Sequence, residues 1–140
     1  MTIAVDFDGV IHAYSRGWAD GTIYDPPMPG AITGLRQLME HDAVFIFTTR
    51  KPEQVMTWLQ HYDLDVTTDE RCSLCSRGSA QTPASDCRSC AGSGLITFWN
   101  PLGQLLVTNR KLAATAYLDD RAVRFTDWDQ ALTDLVTPGR

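Results

Sequence analysis

The chain has 140 residues, of which 44% are hydrophobic, and its formal net charge is −5. This length suits one domain, spanning 1–140, and the apolar content is that of a folded protein rather than a disordered one. No apolar run approaches the ~20 residues that cross a bilayer, and the opening segment Met1–Asp6 lacks the basic region of a secretory signal. We therefore expect a cytoplasmic protein without a membrane partner. The acidic balance also argues against strong binding of duplex nucleic acid.

Segments of strand and helix character alternate along the chain. A short apolar run, 1–5, predicts a buried strand, and an excursion rich in glycine, proline and aromatic residues follows over 10–29. Further strands are predicted at 43–47, 64–67, 105–107 and 113–118, and helices are predicted after residues 30, 52 and 127. Strands that alternate with helices predict an α/β fold built on a parallel sheet.

The periodicity stops between residues 69 and 98, and all four cysteines of the chain lie in this segment. Cys72 and Cys75 form one Cys-x-x-Cys pair, and Cys87 and Cys90 form a second. Two such pairs supply the four thiolates of a structural zinc site, and the segment has too few large apolar residues to fold by burial alone. We interpret 69–98 as a zinc-binding insertion. Two redox-active pairs are a weaker alternative, and a catalytic zinc is weaker still because four sulfurs leave no open position.

Polar residues follow three of the predicted strands at the point where each strand ends. Asp6 and Asp8 follow the first strand, Thr48 follows the second, and Asp119 and Asp120 follow the last. Because the carboxyl ends of parallel strands meet at one edge of a sheet, we expect these side chains to converge. Converging carboxylates repel each other, and a hard divalent cation such as Mg²⁺ offsets that repulsion. A single pair would be interpreted as turn or helix caps, but two pairs at strand ends favour a metal site.

Four motifs, in this order, resemble those of the haloacid dehalogenase superfamily of phosphohydrolases. They are Asp6–Val10 after a strand, Phe47–Thr48 at the end of another, Lys111, and Leu118–Arg121. One departure is Leu112, which follows the lysine where proline is common. The resemblance covers nearly all of the chain outside the insertion. It implies the Rossmann-like parallel sheet of that superfamily, with the insertion between the second and third motifs. Within the insertion, residues 87–94 are similar to a zinc knuckle of the DnaJ co-chaperones.

The resemblance to the haloacid dehalogenase superfamily implies a role for each matched residue. Asp6 would be the nucleophile that forms an aspartyl-phosphate, and Asp8 would be the general acid and base. Thr48 and Lys111 would bind the transferring phosphoryl group. Mg²⁺ would be bound by Asp6, the main-chain carbonyl of Asp8 and Asp120, with Asp119 as the alternative to Asp120. Apart from the resemblance, Arg50 is a candidate either for contact with the substrate phosphate or for a salt bridge near the helix that follows it.

These expectations describe a Mg²⁺-dependent phosphomonoester hydrolase with a structural zinc. The favoured substrate is a nucleotide or the terminal phosphate of a nucleic acid, because Tyr14 and Trp18 are candidates for stacking on a base. The alternative is a degenerate fold of the same kind that binds a protein or nucleic acid partner through the zinc knuckle. His12, which follows the nucleophile segment, is a candidate to line the site, whereas His41 and His61 are expected to be structural.

Overall fold

The structure, a computed structural model, describes residues 1–69, 87, 92, 94–95 and 103–136. Its elements are β1 (Thr2–Asp6), α1 (Ala31–Met39), β2 (Ala43–Phe47), α2 (Pro52–Gln60), β3 (Val66–Thr68), β4 (Leu105–Thr108), β5 (Ala116–Leu118) and α3 (Trp128–Val136). The strands form one five-stranded sheet in the order β3-β4-β2-β1-β5, and every neighbouring pair is parallel. The predicted α/β architecture is therefore confirmed. Across these described ranges, none of the helices has the length and apolar character needed to span a membrane.

Local sequence signals account for the helix starts. α1 begins after Gly30, whose φ of 79° lies in the left-handed region that glycine tolerates best. α2 has Pro52 in its first turn, where the missing N–H removes no helical hydrogen bond. Asp127 caps α3 by accepting the N–H of Gln130 at 2.8 Å. All three starts lie where the sequence predicts them.

The main hydrophobic core lies between one face of the sheet and helices α1 and α2. Strand residues two apart share this face, and Val5, Ile46 and Val107 are buried in it. Leu35 of α1 and Leu59 of α2 complete the layer from the helical side. Because α1 packs on β2 and α2 packs on β3 and β4, the sheet is a rigid base for the residues that follow its strands.

The opposite face of the sheet carries a smaller buried cluster, formed by Ala4, Phe45 and Leu106. The apolar pattern of α3 is not matched by burial, since Leu132 and Leu135 are each 54% exposed. Within the described residues, α3 has no extensive packing contact with any strand, so Leu132 and Leu135 remain at the surface, whereas Ala131 is buried.

Register places the ends of three neighbouring strands, β2, β1 and β5, side by side. Asp6 at the end of β1 pairs with Phe47 at the end of β2. Leu118 at the end of β5 pairs with Val5, which directly precedes Asp6. The residues that follow these strands, such as Thr48 and Asp119, therefore emerge at the same edge of the sheet.

Candidate active site

A cavity of about 270 Å³ opens at the carboxyl ends of β1, β2 and β5. Its lining includes Asp6 and Asp8 from the end of β1, Thr48 from the end of β2, and Asp119 from the end of β5. The parallel register explains this convergence, because each of these residues is at or just beyond the last residue of its strand. The structure thus brings together most of the residues that the sequence predicts for a phosphatase site.

Three carboxylates form the acidic centre of this site. One oxygen from each of Asp6, Asp119 and Asp120 lies within 4.8 Å of the others, and Asp6 is half-buried whereas the other two are exposed. The pKa of Asp6 is raised to about 6, mainly by burial and also by the charges of Asp119 and Asp120. A 2.9 Å hydrogen bond donated by the Phe7 N–H acts in the opposite direction. The arrangement is unfavourable for three bare carboxylates. It fits a hard divalent cation, which prefers oxygen ligands of this kind.

Gly9 allows one of these carboxylates to lie directly over the segment that follows Asp6. Its φ is +86°, and a Cβ built at this position would collide with Oδ2 of Asp120. Asp119 is held differently, since its Oδ1 accepts the Arg121 N–H at 2.8 Å. The Asp120 carboxylate thus lies against the backbone of Gly9, whereas Asp119 lines the cavity. Both remain candidate ligands for Mg²⁺.

Asp8 is fixed by two donors, Arg50 and His12. The Nε of Arg50 lies 2.9 Å from Oδ2 and 3.1 Å from Oδ1, and Nδ1 of His12 lies 2.8 Å from Oδ1. Arg50 is only 1% exposed, and its guanidinium donates to the carbonyl of Gly21 at 2.6 Å and stacks 4.7 Å from the ring of Trp18. These contacts support a role for Arg50 in positioning Asp8. Its predicted contact with substrate phosphate stays a prediction.

Thr48 is buried, and no acceptor among the described residues takes its hydroxyl hydrogen. Its Oγ1 accepts the Arg50 N–H at 3.1 Å, and its own main-chain N–H donates to the carbonyl of Thr108 at 3.0 Å. These bonds fix the turn that ends β2. The hydroxyl hydrogen is therefore available to donate into the cavity, as a phosphoryl-binding group requires.

Lys111 does not line the cavity that holds the acidic centre. Its Nζ lies 5.5 Å from the ring centroid of Tyr117, which lines the cavity, but Lys111 is absent from the described residues of that lining. The lysine is exposed and follows β4, which is separated from β1 by β2. Its predicted contact with the phosphoryl group stays a prediction.

The predicted zinc ligands fall almost entirely outside the described residues. Cys72, Cys75 and Cys90 lie there with most of the insertion, and Cys87 is half-buried. The zinc site therefore stays a prediction from the two Cys-x-x-Cys pairs.

Sequence reasoning missed a second polar cluster at the same edge of the sheet. Asp69, which follows β3, accepts the Thr108 hydroxyl at 2.6 Å and pairs with Nη2 of Arg110 at 2.6 Å. The Arg110 N–H in turn donates to Oγ1 of Thr108 at 3.0 Å. This repeats the Thr48–Arg50 turn, in which an arginine two residues after the threonine holds the carboxylate of a neighbouring strand end. The repeated Thr-x-Arg after an apolar strand was the available signal.

Comparisons of the chain with models of protein families, with curated proteins and with solved structures find no match. The resemblance to the haloacid dehalogenase superfamily therefore depends on the four motifs alone. The geometry of the carboxylates at the strand ends is an independent observation, since it follows from the sheet and its register.

Proposed function

We propose that this protein is a Mg²⁺-dependent phosphomonoester hydrolase in which Asp6 is the nucleophile. The observation that carries the proposal is the convergence of Asp6, Asp119 and Asp120, with one oxygen from each within 4.8 Å of the others. Asp8 lines the same cavity, and its carboxylate is oriented by Arg50. A nucleophile, an oriented acid–base group and a set of hard ligands in one cavity match the needs of phosphoryl transfer.

The donor set fits Mg²⁺ in its chemistry. The ligands would be Asp6, one of Asp119 and Asp120, and the main-chain carbonyl of Asp8 that the family resemblance implies. All are oxygens, and burial, together with the charges of Asp119 and Asp120, raises the pKa of Asp6 in the absence of a cation. When bound, Mg²⁺ would offset the negative charge of the carboxylates and of the phosphate.

The side chains of this site then divide the reaction into two displacements. An oxygen of Asp6 attacks phosphorus in line, the bond from phosphorus to the leaving oxygen breaks, and that oxygen takes a proton from Asp8. Asp8, now a carboxylate, removes a proton from water, whose oxygen attacks the phosphorus of the aspartyl-phosphate. The bond from Asp6 to phosphorus breaks, inorganic phosphate leaves, and both carboxyl groups return to their initial states. Thr48 donates its hydroxyl hydrogen to a phosphoryl oxygen.

The proposed substrate is a nucleotide or the terminal phosphate of a nucleic acid. Tyr14 lines the cavity together with Asp6 and Asp8, and Arg121 lies on its rim. The backbone of Tyr14 has a φ of 57°, a conformation that is uncommon outside glycine and that is often retained at functional sites. An aromatic ring and a cation beside the reacting group suit one base and its phosphate. If a sugar phosphate or a phosphopeptide had the highest kcat/KM in a screen, this substrate class would be wrong, but the proposed hydrolase activity would still hold.

A phosphate-release screen over nucleotides, phosphorylated oligonucleotides and sugar phosphates, with and without Mg²⁺, tests the proposed activity. We expect Mg²⁺-dependent turnover that Asp6→Asn abolishes. Asp65→Asn is the matched control, because Asp65 is an exposed aspartate before β3 and lies outside the cavity lining. Turnover in Asp6→Asn within a few-fold of wild type would contradict the mechanism. Mg²⁺ binding with no turnover of any phosphate ester would favour the alternative, a binding module on a degenerate fold.

A further inference from the structure

His12 is a buried imidazole that links the acid–base residue to the excursion over 10–29. It is fully buried. Its Nδ1 lies 2.8 Å from Oδ1 of Asp8, and its Nε2 lies 3.1 Å from the main-chain nitrogen of Asp25. The ring is held by Phe7, stacked at 5.7 Å, and by Tyr24, edge-on at 5.0 Å. Both ring nitrogens of His12 therefore have a hydrogen-bond partner among the described residues.

The partner of Nε2 fixes the tautomer of His12. A main-chain N–H can only donate, so Nε2 must accept from Asp25 and carries no hydrogen. The hydrogen of the neutral imidazole is then on Nδ1, where it is donated to Asp8. Asp25 is itself fixed in the excursion, because its carboxylate accepts the Ser15 N–H at 2.6 Å. The fold of the excursion therefore determines that His12 is a donor toward Asp8.

The two oxygens of Asp8 are not equally occupied. Oδ1 accepts from His12 and shares the Nε–H of Arg50 at 3.1 Å. Oδ2 accepts only from Arg50, at 2.9 Å, among the residues that the structure describes. Each carboxylate oxygen has two lone pairs, so Oδ2 is the oxygen with accepting capacity left for a proton.

We infer that His12 is a positioning residue that directs proton transfer to Oδ2 of Asp8. This inference rests on the proposed function. By occupying Oδ1, the imidazole leaves Oδ2 to give its proton to the leaving oxygen and later to take one from water. His12 neither touches the reacting phosphate nor gains or loses a proton in either step. It keeps one orientation of the carboxylate, and orientation of this kind accounts for much of the efficiency of a general acid.

Two substitutions of His12 separate this role from anchoring of the excursion. In His12→Asn the amide nitrogen takes the place of Nδ1 and keeps a donor for Asp8, but the acceptor for Asp25 is lost. In His12→Gln the terminal amide takes the place of Nε2 and keeps that acceptor, but the donor for Asp8 is lost. The pair is matched in polarity, and each variant retains one of the two bonds.

The readout is the dependence of kcat/KM on the leaving group. A primary alkyl phosphate needs a proton on its leaving oxygen, whereas p-nitrophenyl phosphate does not. We expect His12→Gln to lose ~10–100-fold on the alkyl ester relative to the aryl ester, and His12→Asn to keep the wild-type ratio within about threefold. The opposite order, or an equal loss on both esters in His12→Gln, would overturn the inference. No hydrolysis of either ester by the wild-type protein would instead overturn the proposed function.

The tautomer itself gives a second measurement that needs no activity and no stable variant. The ¹⁵N chemical shifts of the His12 ring in the wild-type protein distinguish a protonated Nδ1 from a protonated Nε2. We expect hydrogen on Nδ1 and none on Nε2 at neutral pH. Finding the hydrogen on Nε2 would overturn the inference whether or not the protein is a phosphatase.

Discussion

The aspartates at the carboxyl edge of the sheet differ in their surroundings. Asp6 is half-buried beside Asp119 and Asp120, and its pKa is raised to about 6. Asp8 is surrounded on one side by the Arg50 guanidinium and the His12 imidazole, which both donate to it. Neighbouring carboxyl groups in different environments are a recurring arrangement for nucleophile and acid–base pairs.

The raised pKa of Asp6 predicts how the stability of the metal-free protein depends on pH. The folded chain holds this proton more tightly than the unfolded chain, whose value is 3.8, so folding takes up a proton between pH 3.8 and about 6. The contribution of Asp6 to the free energy of unfolding therefore falls as the pH rises through that range. Asp6→Asn, which has no charge, should be more stable than wild type at pH 7 by ~1–2 kcal/mol after allowance for solvent screening.

Urea unfolding in EDTA at several pH values measures this difference. It should shrink as the pH falls from 7 to 4, because the wild-type carboxyl becomes protonated as well. Added Mg²⁺ should raise the melting temperature of wild type at pH 7 and leave that of Asp6→Asn unchanged. A variant that is less stable than wild type at pH 7, with no trend in pH, would contradict the electrostatic account of the site.

A second prediction concerns substitution of Gly9, which lies beside Asp120. Gly9→Ala places a side chain at a φ of +86° and against the Asp120 carboxylate. The backbone should cost ~1–2 kcal/mol, and displacement of Asp120 should lower Mg²⁺ affinity by ~10-fold or more. Gly30→Ala is the control, since Gly30 has a φ of +79° and no heavy atom lies within 4 Å of the point that its Cβ would occupy. If calorimetric titration gives both variants the same Mg²⁺ affinity, Asp120 does not contribute to the metal site.

At the scale of elements, the ends of the strands carry a repeated turn. Thr48 and Arg50 end β2 and hold Asp8 from the neighbouring β1, while Thr108 and Arg110 end β4 and hold Asp69 from the neighbouring β3. In each turn the main-chain N–H of the arginine is satisfied by the threonine hydroxyl. The turn thus places an ion pair between the ends of two neighbouring parallel strands.

The pair at β3 and β4 should contribute more to stability than an exposed pair of the same kind. The Arg110 and Asp69 side chains are 28% and 15% exposed at a distance of 2.6 Å. Arg110→Met leaves Asp69 without its cation, and we expect a loss of ~2–3 kcal/mol in chemical unfolding. Arg121→Met is the control, because the Arg121 side chain is 79% exposed and its nitrogen lies 4.0 Å from Asp120. Equal effects of the two substitutions would show that the turn does not stabilise the sheet.

The insertion carries a prediction that comes from sequence alone. We expect one equivalent of zinc per chain, bound by Cys72, Cys75, Cys87 and Cys90, because these four thiolates complete a tetrahedral site. Metal analysis of protein purified without added zinc measures it, and substitution of the four cysteines by serine is the control. Four free thiols without metal, or two disulfides in freshly reduced protein, would rule the zinc site out.

Local patterns predicted the elements well, and tertiary contacts explain what they missed. The strand ends at Asp6 and Thr48 are visible as apolar runs that stop at polar residues, and the helix start at Pro52 is a local signal. The bond between His12 and the Asp25 main chain joins residues whose proximity depends on the path of an irregular segment. The exposure of Leu132 likewise depends on what packs against α3 and not on its own periodicity.

At the scale of the whole molecule, the acidic site and the start of the insertion follow different strands. β1 lies between β2 and β5, which places Asp6 between Thr48 and Asp119. The insertion leaves the sheet after Asp69 and returns before β4, and β2 separates β4 from β1. Because the proposed Mg²⁺ and zinc ligands are different residues, we expect removal of zinc by a chelator to leave Mg²⁺ binding intact and to reduce turnover only through access to the site. Loss of Mg²⁺ binding on removal of zinc, followed by titration calorimetry, would contradict this separation.

The most direct measurement of the central claim is detection of a phosphoryl group on Asp6. Asp8→Asn protein is incubated with p-nitrophenyl phosphate and Mg²⁺, because this ester needs no proton to leave and the variant lacks the base for the second displacement. Acid quenching, digestion and mass spectrometry should find one added phosphoryl group on Asp6, and hydroxylamine should remove it. Release of nitrophenol with no phosphoryl group on the protein, or with the group on another residue, would contradict the account.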